Sequence, residues 1–357
     1  MITFYPGPSK VYPEVPQYVR EAYEAGVLSI NHRSPEFMEI FRRVRQLVKE
    51  KLDVPDSYTV VFSSSATECW EIISQSLVSK KSLHIFNGAF GEKWWRYAQQ
   101  LVPATESIVF DREELPDIDQ ILADNADLIA ITHNETSNGT ALPGDWMKKL
   151  RKQFPNALIA ADSTSSMAGV ALPWEAADIW YASVQKCFGL PAGLAVMVLS
   201  PQAIEQTQSL GEKGHYNSLL NIYDQSQRYQ TTHTPNVLGI YLLMRTLENR
   251  ASISEVNTQL TKRFTEWFIM LQNLNYVKLI ITNDAVQSKT VVPFQATPEV
   301  INQLQEQAKE QGIIIGNGYG ELKTTTLRIA NFPAITDAEI HQLMNFFANF
   351  APEKLSH

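Results

Sequence analysis

Between residue 58 and about residue 200, short apolar runs rich in β-branched residues alternate with amphipathic helical stretches, and this alternation leaves few folds open. The runs lie at 58–62, 82–86, 128–132, 157–161, 178–182 and 195–199. They are nearly continuous in apolar character, as strands buried on both faces must be, and helix-length segments separate most of them. The pattern predicts an α/β fold built on a mostly parallel sheet covered by helices. In such a sheet the carboxyl ends of the strands converge on one edge, where ligands bind. Polar residues follow the runs on that edge: Ser63-Ser64-Ser65-Ala66-Thr67, Asn87-Gly88-Ala89-Phe90-Gly91, His133-Asn134-Glu135-Thr136 and Asp162-Ser163-Thr164-Ser165-Ser166. The serine turn before a helix with Trp70, Ile72, Ile73 and Leu77 makes a candidate anion site, because free N–H groups and the helix dipole point outward there.

The fifth run leads to a single lysine, in Val184-Gln185-Lys186-Cys187-Phe188-Gly189-Leu190-Pro191-Ala192-Gly193, and the sixth follows at once. Lys186 is thereby placed on a tight turn between two buried strands. An ammonium group is costly there unless its pKa falls or chemistry consumes it. Schiff-base formation with a carbonyl consumes it. A side chain that snorkels from the strand end to water is the plain alternative.

The flanks are less regular. Residues 1–15, punctuated by Pro6-Gly7-Pro8, read as an extended arm without secondary structure. A helix follows over about 16–25. The polar loop Asn31-His32-Arg33-Ser34 then leads into a long amphipathic helix with Phe37, Ile40, Phe41, Val44, Leu47 and Val48 on one face. Residues 202–210 read as helix and 215–232 as loop. Long helices follow on either side of Arg250, and four short strands are expected at 277–281, 290–294, 313–315 and 326–330. The expected division is an arm (1–15), a large domain (16–250) and a smaller C-terminal α/β domain (251–357). Arg328 stands inside an apolar strand with no local carboxylate, so either a bound substrate carboxylate or a distant Asp or Glu must satisfy it.

Composition narrows the partners. A net charge of -8 argues against nucleic acid or an anionic membrane as the main partner. The two cysteines, Cys69 and Cys187, form neither a metal pattern nor a disulfide framework, so no metal is expected. No leader-type apolar segment opens the chain and no run approaches a membrane span. A cytoplasmic location is the expectation.

Taken together, Tyr5-Pro6-Gly7-Pro8, His32-Arg33-Ser34, Asn134-Glu135-Thr136, Asp162 with Ser165-Ser166, Gln185-Lys186 with Gly189-Leu190-Pro191-Ala192-Gly193, and Thr234-Pro235 resemble, in order, the motifs of the class V, fold-type I pyridoxal phosphate aminotransferases. Within that family the phosphoserine aminotransferase branch is most similar. The resemblance spans nearly the whole chain and implies pyridoxal 5'-phosphate as cofactor. It implies that Lys186 carries the cofactor as a Schiff base and acts as base once displaced. Asp162 would pair with the ring nitrogen, Phe90 would stack on the ring, and Thr136 would bond the ring's phenolic oxygen. Ser65, Ala66 and Thr67 would hold the cofactor phosphate, helped by Gln185 and by Thr234 from a neighbouring subunit, so that a homodimer shares its active sites. Arg328 would hold the substrate α-carboxylate, and His32 with Arg33, across the dimer interface, the substrate phosphate.

Two positions depart from the bacterial phosphoserine pattern. The second His-Arg pair before the carboxylate arginine is replaced by Gly320-Glu321-Leu322-Lys323-Thr324, and the phosphate-loop arginine by Thr67. The resemblance therefore implies transfer between O-phosphoserine and 2-oxoglutarate, with Lys323 as a further candidate for the phosphate. An alanine– or serine–glyoxylate type of aminotransferase on the same frame is the alternative. Sulfur transfer from cysteine would need a nucleophilic cysteine on a late loop, and neither cysteine lies there.

Overall fold

The computed structural model describes residues 1–352, so the end of the segment 251–357 lies outside the described residues. Fourteen strands form among them, in chain order β1 (Ile2–Phe4), β2 (Thr59–Ser63), β3 (Lys81–Phe86), β4 (Ala104–Val109), β5 (Leu128–Thr132), β6 (Asn134–Glu135), β7 (Thr140–Ala141), β8 (Leu158–Asp162), β9 (Ile179–Ser183), β10 (Ala195–Leu199), β11 (Lys278–Leu279), β12 (Val291–Gln295), β13 (Ile313–Asn317) and β14 (Thr326–Ala330). The apolar runs of the sequence become a seven-stranded sheet in the order β2-β10-β9-β8-β5-β3-β4. Every pairing in it is parallel except those of β10, which runs antiparallel to β9 and β2. That exception follows from the short connection carrying Lys186, which is too brief for the crossover a parallel pair requires.

Alternate residues of these strands face opposite cores. Leu128 and Ala130 pack with Trp70, Ile73 and Trp94 of the helices Ala66–Leu77 and Ala89–Leu101. Ile129 and Ile131 join the larger cluster on the other face, which also takes Phe37, Phe41 and Val44 from the helix Pro35–Leu52. Both faces are covered, which explains why the strands read as unbroken apolar runs.

A second sheet, β1-β13-β14-β12-β11, is antiparallel except at one edge. There β1 runs parallel to β13, with Ile2 opposite Ile313 and Phe4 opposite Ile315. The expectation of residues 1–15 as an arm without secondary structure is corrected here. Three residues form a strand because their partner, some 300 positions away, supplies the ladder, a pairing no local pattern reveals. Past β1 the segment runs to the lysine loop, where Ser9 N donates to Gln185 O at 2.9 Å. Two other readings also change. The expected loop 215–232 contains the helix Leu219–Ser226, capped by Ser218 and anchored by buried Leu219 and Leu220. The strand β4 has no counterpart among the expected runs; it is an edge strand whose exposed residues break the apolar pattern.

Candidate active site

The connection between β9 and β10 folds tightly: Gly189 N donates to Lys186 O at 2.9 Å, and Val184 N to Leu194 O at 3.1 Å. Lys186 is only 6% exposed. Its ammonium donates to Thr136 Oγ1 at 2.7 Å and to Ser165 Oγ at 2.9 Å, and those hydroxyls lie 2.5 Å apart. Burial pulls this lysine down to about 8, while Asp162 and Glu135 oppose the shift. A snorkelling side chain would have shown neither the burial nor the fixed contacts.

Gly7 is where the N-terminal segment meets the lysine. Its φ of +154° suits glycine, and a Cβ there would stand 2.9 Å from Lys186 Cε. Asp162 ends β8 and is 5% exposed; its Oδ1 accepts from Thr164 N at 2.9 Å. No cation stands within ion-pair reach of it among the described residues. Phe90 lies in the first turn of the helix Ala89–Leu101, its ring centroid 5.2 Å from Lys186 Nζ. Opposite, Arg328 projects from β14 and is 4% exposed. Its Nε donates to Asn317 O at 2.7 Å and its Nη1 to Thr136 O at 2.8 Å. Buried Arg263 pairs with Asp337 at 2.6 Å, but among the described residues Arg328 has no carboxylate. The distant structural ion pair left open by the sequence is absent there. These groups line one cleft of about 220 Å³.

The family model Aminotransferase class-V matches residues 3–324. The chain belongs to the class V aminotransferases. Among solved structures, phosphoserine aminotransferase from Cytophaga hutchinsonii superimposes with a TM-score of 0.92 at 31% identity, covering 97% of this chain and 98% of that one. Phosphoserine aminotransferase from Rhodococcus opacus (strain B4) is 27% identical, with 94% of this chain and 91% of the relative covered. Alanine–glyoxylate aminotransferase from Nostoc sp. superimposes with a TM-score of 0.83 at 20% identity, over 97% of this chain and 94% of that one, a likeness of fold. The α/β architecture is that of fold-type I, and the cofactor is pyridoxal 5'-phosphate.

The cleft of this class V aminotransferase fits that cofactor by its chemistry. It offers a buried amine, a buried carboxylate without a cation partner among the described residues, and an aromatic wall. Thr132 Oγ1 and Thr164 Oγ1 are buried along it without hydrogen-bond partners, and a buried hydroxyl left unpaired is costly. The N-terminus of the helix Ala66–Leu77 opens onto it through Ala66 and Thr67. Of the other expected residues, Gln185 also lines the cleft. Ser65 acts as the N-cap of that helix, its Oγ accepting from Glu68 N at 3.1 Å. Thr234 lies elsewhere, in a second cleft of about 260 Å³ with Ser63, Gln230 and His233. Arg33 stands beside that cleft, donating from Nη1 to Gln230 Oε1 at 2.8 Å. His32 is pushed down by burial and by the neighbouring Arg33 and His233. Within one chain the structure does not bring His32, Arg33 or Thr234 to Lys186.

Sequence reasoning missed the roles of three residues. Ser165 receives the lysine, and its backbone carbonyl is fixed by Thr290 Oγ1 at 2.6 Å. Glu135, 1% exposed, accepts from Phe90 N at 3.1 Å, Gly91 N at 3.2 Å, Ser137 N at 2.9 Å and Ser137 Oγ at 2.7 Å. It thus caps the helix that carries Phe90. Gly88 is required beside it, because a Cβ there would come within 2.4 Å of Glu135 Cγ. Tyr319 forms the outer wall, its ring 5.3 Å from that of Phe90. A polar triple between apolar runs was the only available signal for Glu135; the runs of serine and the loop before β14 gave none.

Proposed function

We propose that this class V aminotransferase exchanges the amino group between O-phosphoserine and 2-oxoglutarate, as a homodimer in the cytoplasm. The observation that carries the reading is buried Arg328, without a carboxylate partner among the described residues, lining the cleft of Lys186. An amino acid supplies the missing carboxylate in bidentate fashion. The curated and solved relatives named phosphoserine aminotransferase support phosphoserine as the amino acid.

When bound, pyridoxal 5'-phosphate supplies a carbonyl for the amine and a ring that accepts the electron pair left by loss of the α-proton. Asp162 would hold the ring nitrogen in its protonated form, Phe90 would stack on the ring, and Thr136 would bond the phenolic oxygen. Ser65, Ala66, Thr67 and Gln185 would hold the phosphate, together with Thr234 of a second copy. Lys186 would carry out the proton transfer: burial lowers its pKa, which favours the free amine, and Nζ would take the proton from the substrate Cα. Thr136 and Ser165 keep Nζ in place whenever it is free. The separation of His32, Arg33 and Thr234 from Lys186 within one chain supports the shared homodimer site. Two buried free cysteines and the lack of a membrane-length apolar helix among the described residues accord with the cytoplasm.

The test is a half-reaction of holoenzyme with O-phosphoserine, alanine and serine in turn, followed by loss of the cofactor absorbance. Phosphoserine should react far faster. If alanine or serine reacts as fast, the glyoxylate-type alternative replaces this reading. For the shared site, mixing inactive K186A with T234A should restore part of the activity in hybrid dimers.

A further inference from the structure

Two residues of the cleft wall, Phe90 and Tyr319, contact a second cation that the site described above does not use. Lys93 stands one turn beyond Phe90 on the helix Ala89–Leu101 and is exposed. Its ammonium lies 4.9 Å from the ring centroid of Tyr319 and 5.6 Å from that of Phe90, and it donates to the Tyr319 hydroxyl. Arg328 lies 5.7 Å from the same Tyr319 ring. One aromatic residue is thus flanked by two cations, the buried Arg328 and the exposed Lys93. Neither has a carboxylate partner among the described residues, and the adjacent Glu92 is taken by Arg96 at 2.5 Å. In a chain of net charge -8, two uncompensated cations beside one cleft is an arrangement suited to a ligand with two acidic ends.

Tyr319 is held by a well-bonded connection. It sits in the connection from β13 to β14, where Gly318 N donates to Thr326 O at 2.7 Å and Asn317 O receives Arg328 Nε at 2.7 Å. The same few residues therefore fix the position of both the arginine and the tyrosine.

We propose that Lys93 and the Tyr319 hydroxyl form the contact for the distal acidic group of the substrate, phosphate or side-chain carboxylate, while Arg328 holds the α-carboxylate. The proposal rests on the reading of the cleft as a site for phosphoserine and a dicarboxylic partner. It supplies a cation from the same chain where the second His-Arg pair is missing, and it sets Lys93 ahead of Lys323.

The test compares K93Q, K93R and Y319F holoenzymes in half-reactions with O-phosphoserine, glutamate and alanine. A charge-assisted contact to the distal group predicts that K93Q lowers the phosphoserine-to-alanine and glutamate-to-alanine rate ratios about tenfold, with a smaller fall for Y319F. K93R should restore most of the loss. The inhibition constant of glutarate, a dicarboxylate that cannot react, should rise by a similar factor in K93Q. If K93Q slows all three substrates equally, Lys93 only supports Phe90 and Tyr319, and the proposal is overturned. Rate ratios that do not move in K93Q would overturn it too. A wild-type enzyme with no preference for phosphoserine or glutamate over alanine would overturn the underlying reading as well, and that outcome is distinct because it appears before any substitution.

Discussion

The cleft of Lys186 and the patch around His32, Arg33 and Thr234 are built in opposite ways. In the cleft, the key heads are buried and each is tied to a partner from another element: Nζ to Thr136 and Ser165, Glu135 to the helix of Phe90, Arg328 to two carbonyl oxygens. In the patch, Arg33 and Thr234 are exposed, the Arg33 side chain leans on a glutamine, and His32 is pushed towards its neutral form by burial and by the nearby Arg33 and His233. The first region is pre-organised by one chain, as chemistry at a cofactor demands. The second leaves Arg33 without a carboxylate partner among the described residues, as the proposed completion by a second copy would require. The difference teaches that the groups around Lys186 are organised by one chain alone, whereas the role proposed for the patch needs a second molecule to complete it.

The largest expected effect tests the interior. K186A should abolish transamination, a fall of about 10³-fold or more, because it removes both the nucleophile and the base. Its far-ultraviolet circular dichroism should match the wild type, since the side chain belongs to a connection and its hydrogen bonds go to Thr136 and Ser165, which lie outside the strands and helices. Appreciable turnover in K186A would end the assignment of the lysine. D162N should cut turnover by about 10²- to 10³-fold, because a neutral amide cannot stabilise a positive ring nitrogen in a dry site. It should also weaken cofactor retention, read by equilibrium dialysis. Turnover near the wild-type level would mean that another group holds that nitrogen.

How far each region was legible in the sequence follows from the same contrast. Strands buried on both faces write themselves as apolar runs, so β5, β8, β9 and β10 were readable, as were Asp162 and Lys186 at their ends. The edge strand β4 was not, because Glu106, Ser107 and the exposed Val109 carry no core pattern. The strand Ile2–Phe4 escaped because its ladder is supplied by a partner at the far end of the chain. Ser165 was hidden among equivalent hydroxyls: nothing local says which of four consecutive Ser and Thr residues meets Nζ. Glu135 was hidden because its partners Phe90 and Gly91 are more than forty positions away. Tyr319 and Lys93 meet only when the two sheets are assembled.

A third prediction concerns the cost of the pre-organised lysine. In cofactor-free protein the folded value is about 8 against an ordinary 10.5. A base depressed on folding binds its proton more tightly when unfolded, so stability rises as pH climbs from about 8 towards 10.5 and the full penalty applies below 8. That penalty is about 3 kcal/mol. Cofactor-free K186M, which buries no charge, should therefore be more stable than cofactor-free wild type at about pH 7 in urea titrations, by up to that amount. The advantage should shrink markedly at about pH 9.5. A constant difference at both values would show that Lys186 is not strained by burial.

The smallest effect probes the margin. Arg33 contributes little to the fold, being exposed and bonded through its side chain to a glutamine, so R33Q should change stability by no more than about 0.5 kcal/mol. Its effect should appear only where a second copy brings the guanidinium to a substrate phosphate. There the half-reaction with O-phosphoserine should slow about tenfold while that with alanine is little altered, the loss expected of one charge-assisted contact at a partly solvated site. Combining R33Q with K93Q would sharpen the comparison further. If the two cations grip one acidic group from different chains, their losses should not add, because neighbours that share a ligand are coupled. If the losses do add, the two residues serve different ends of the cleft, and the margin is divided between the chains rather than shared.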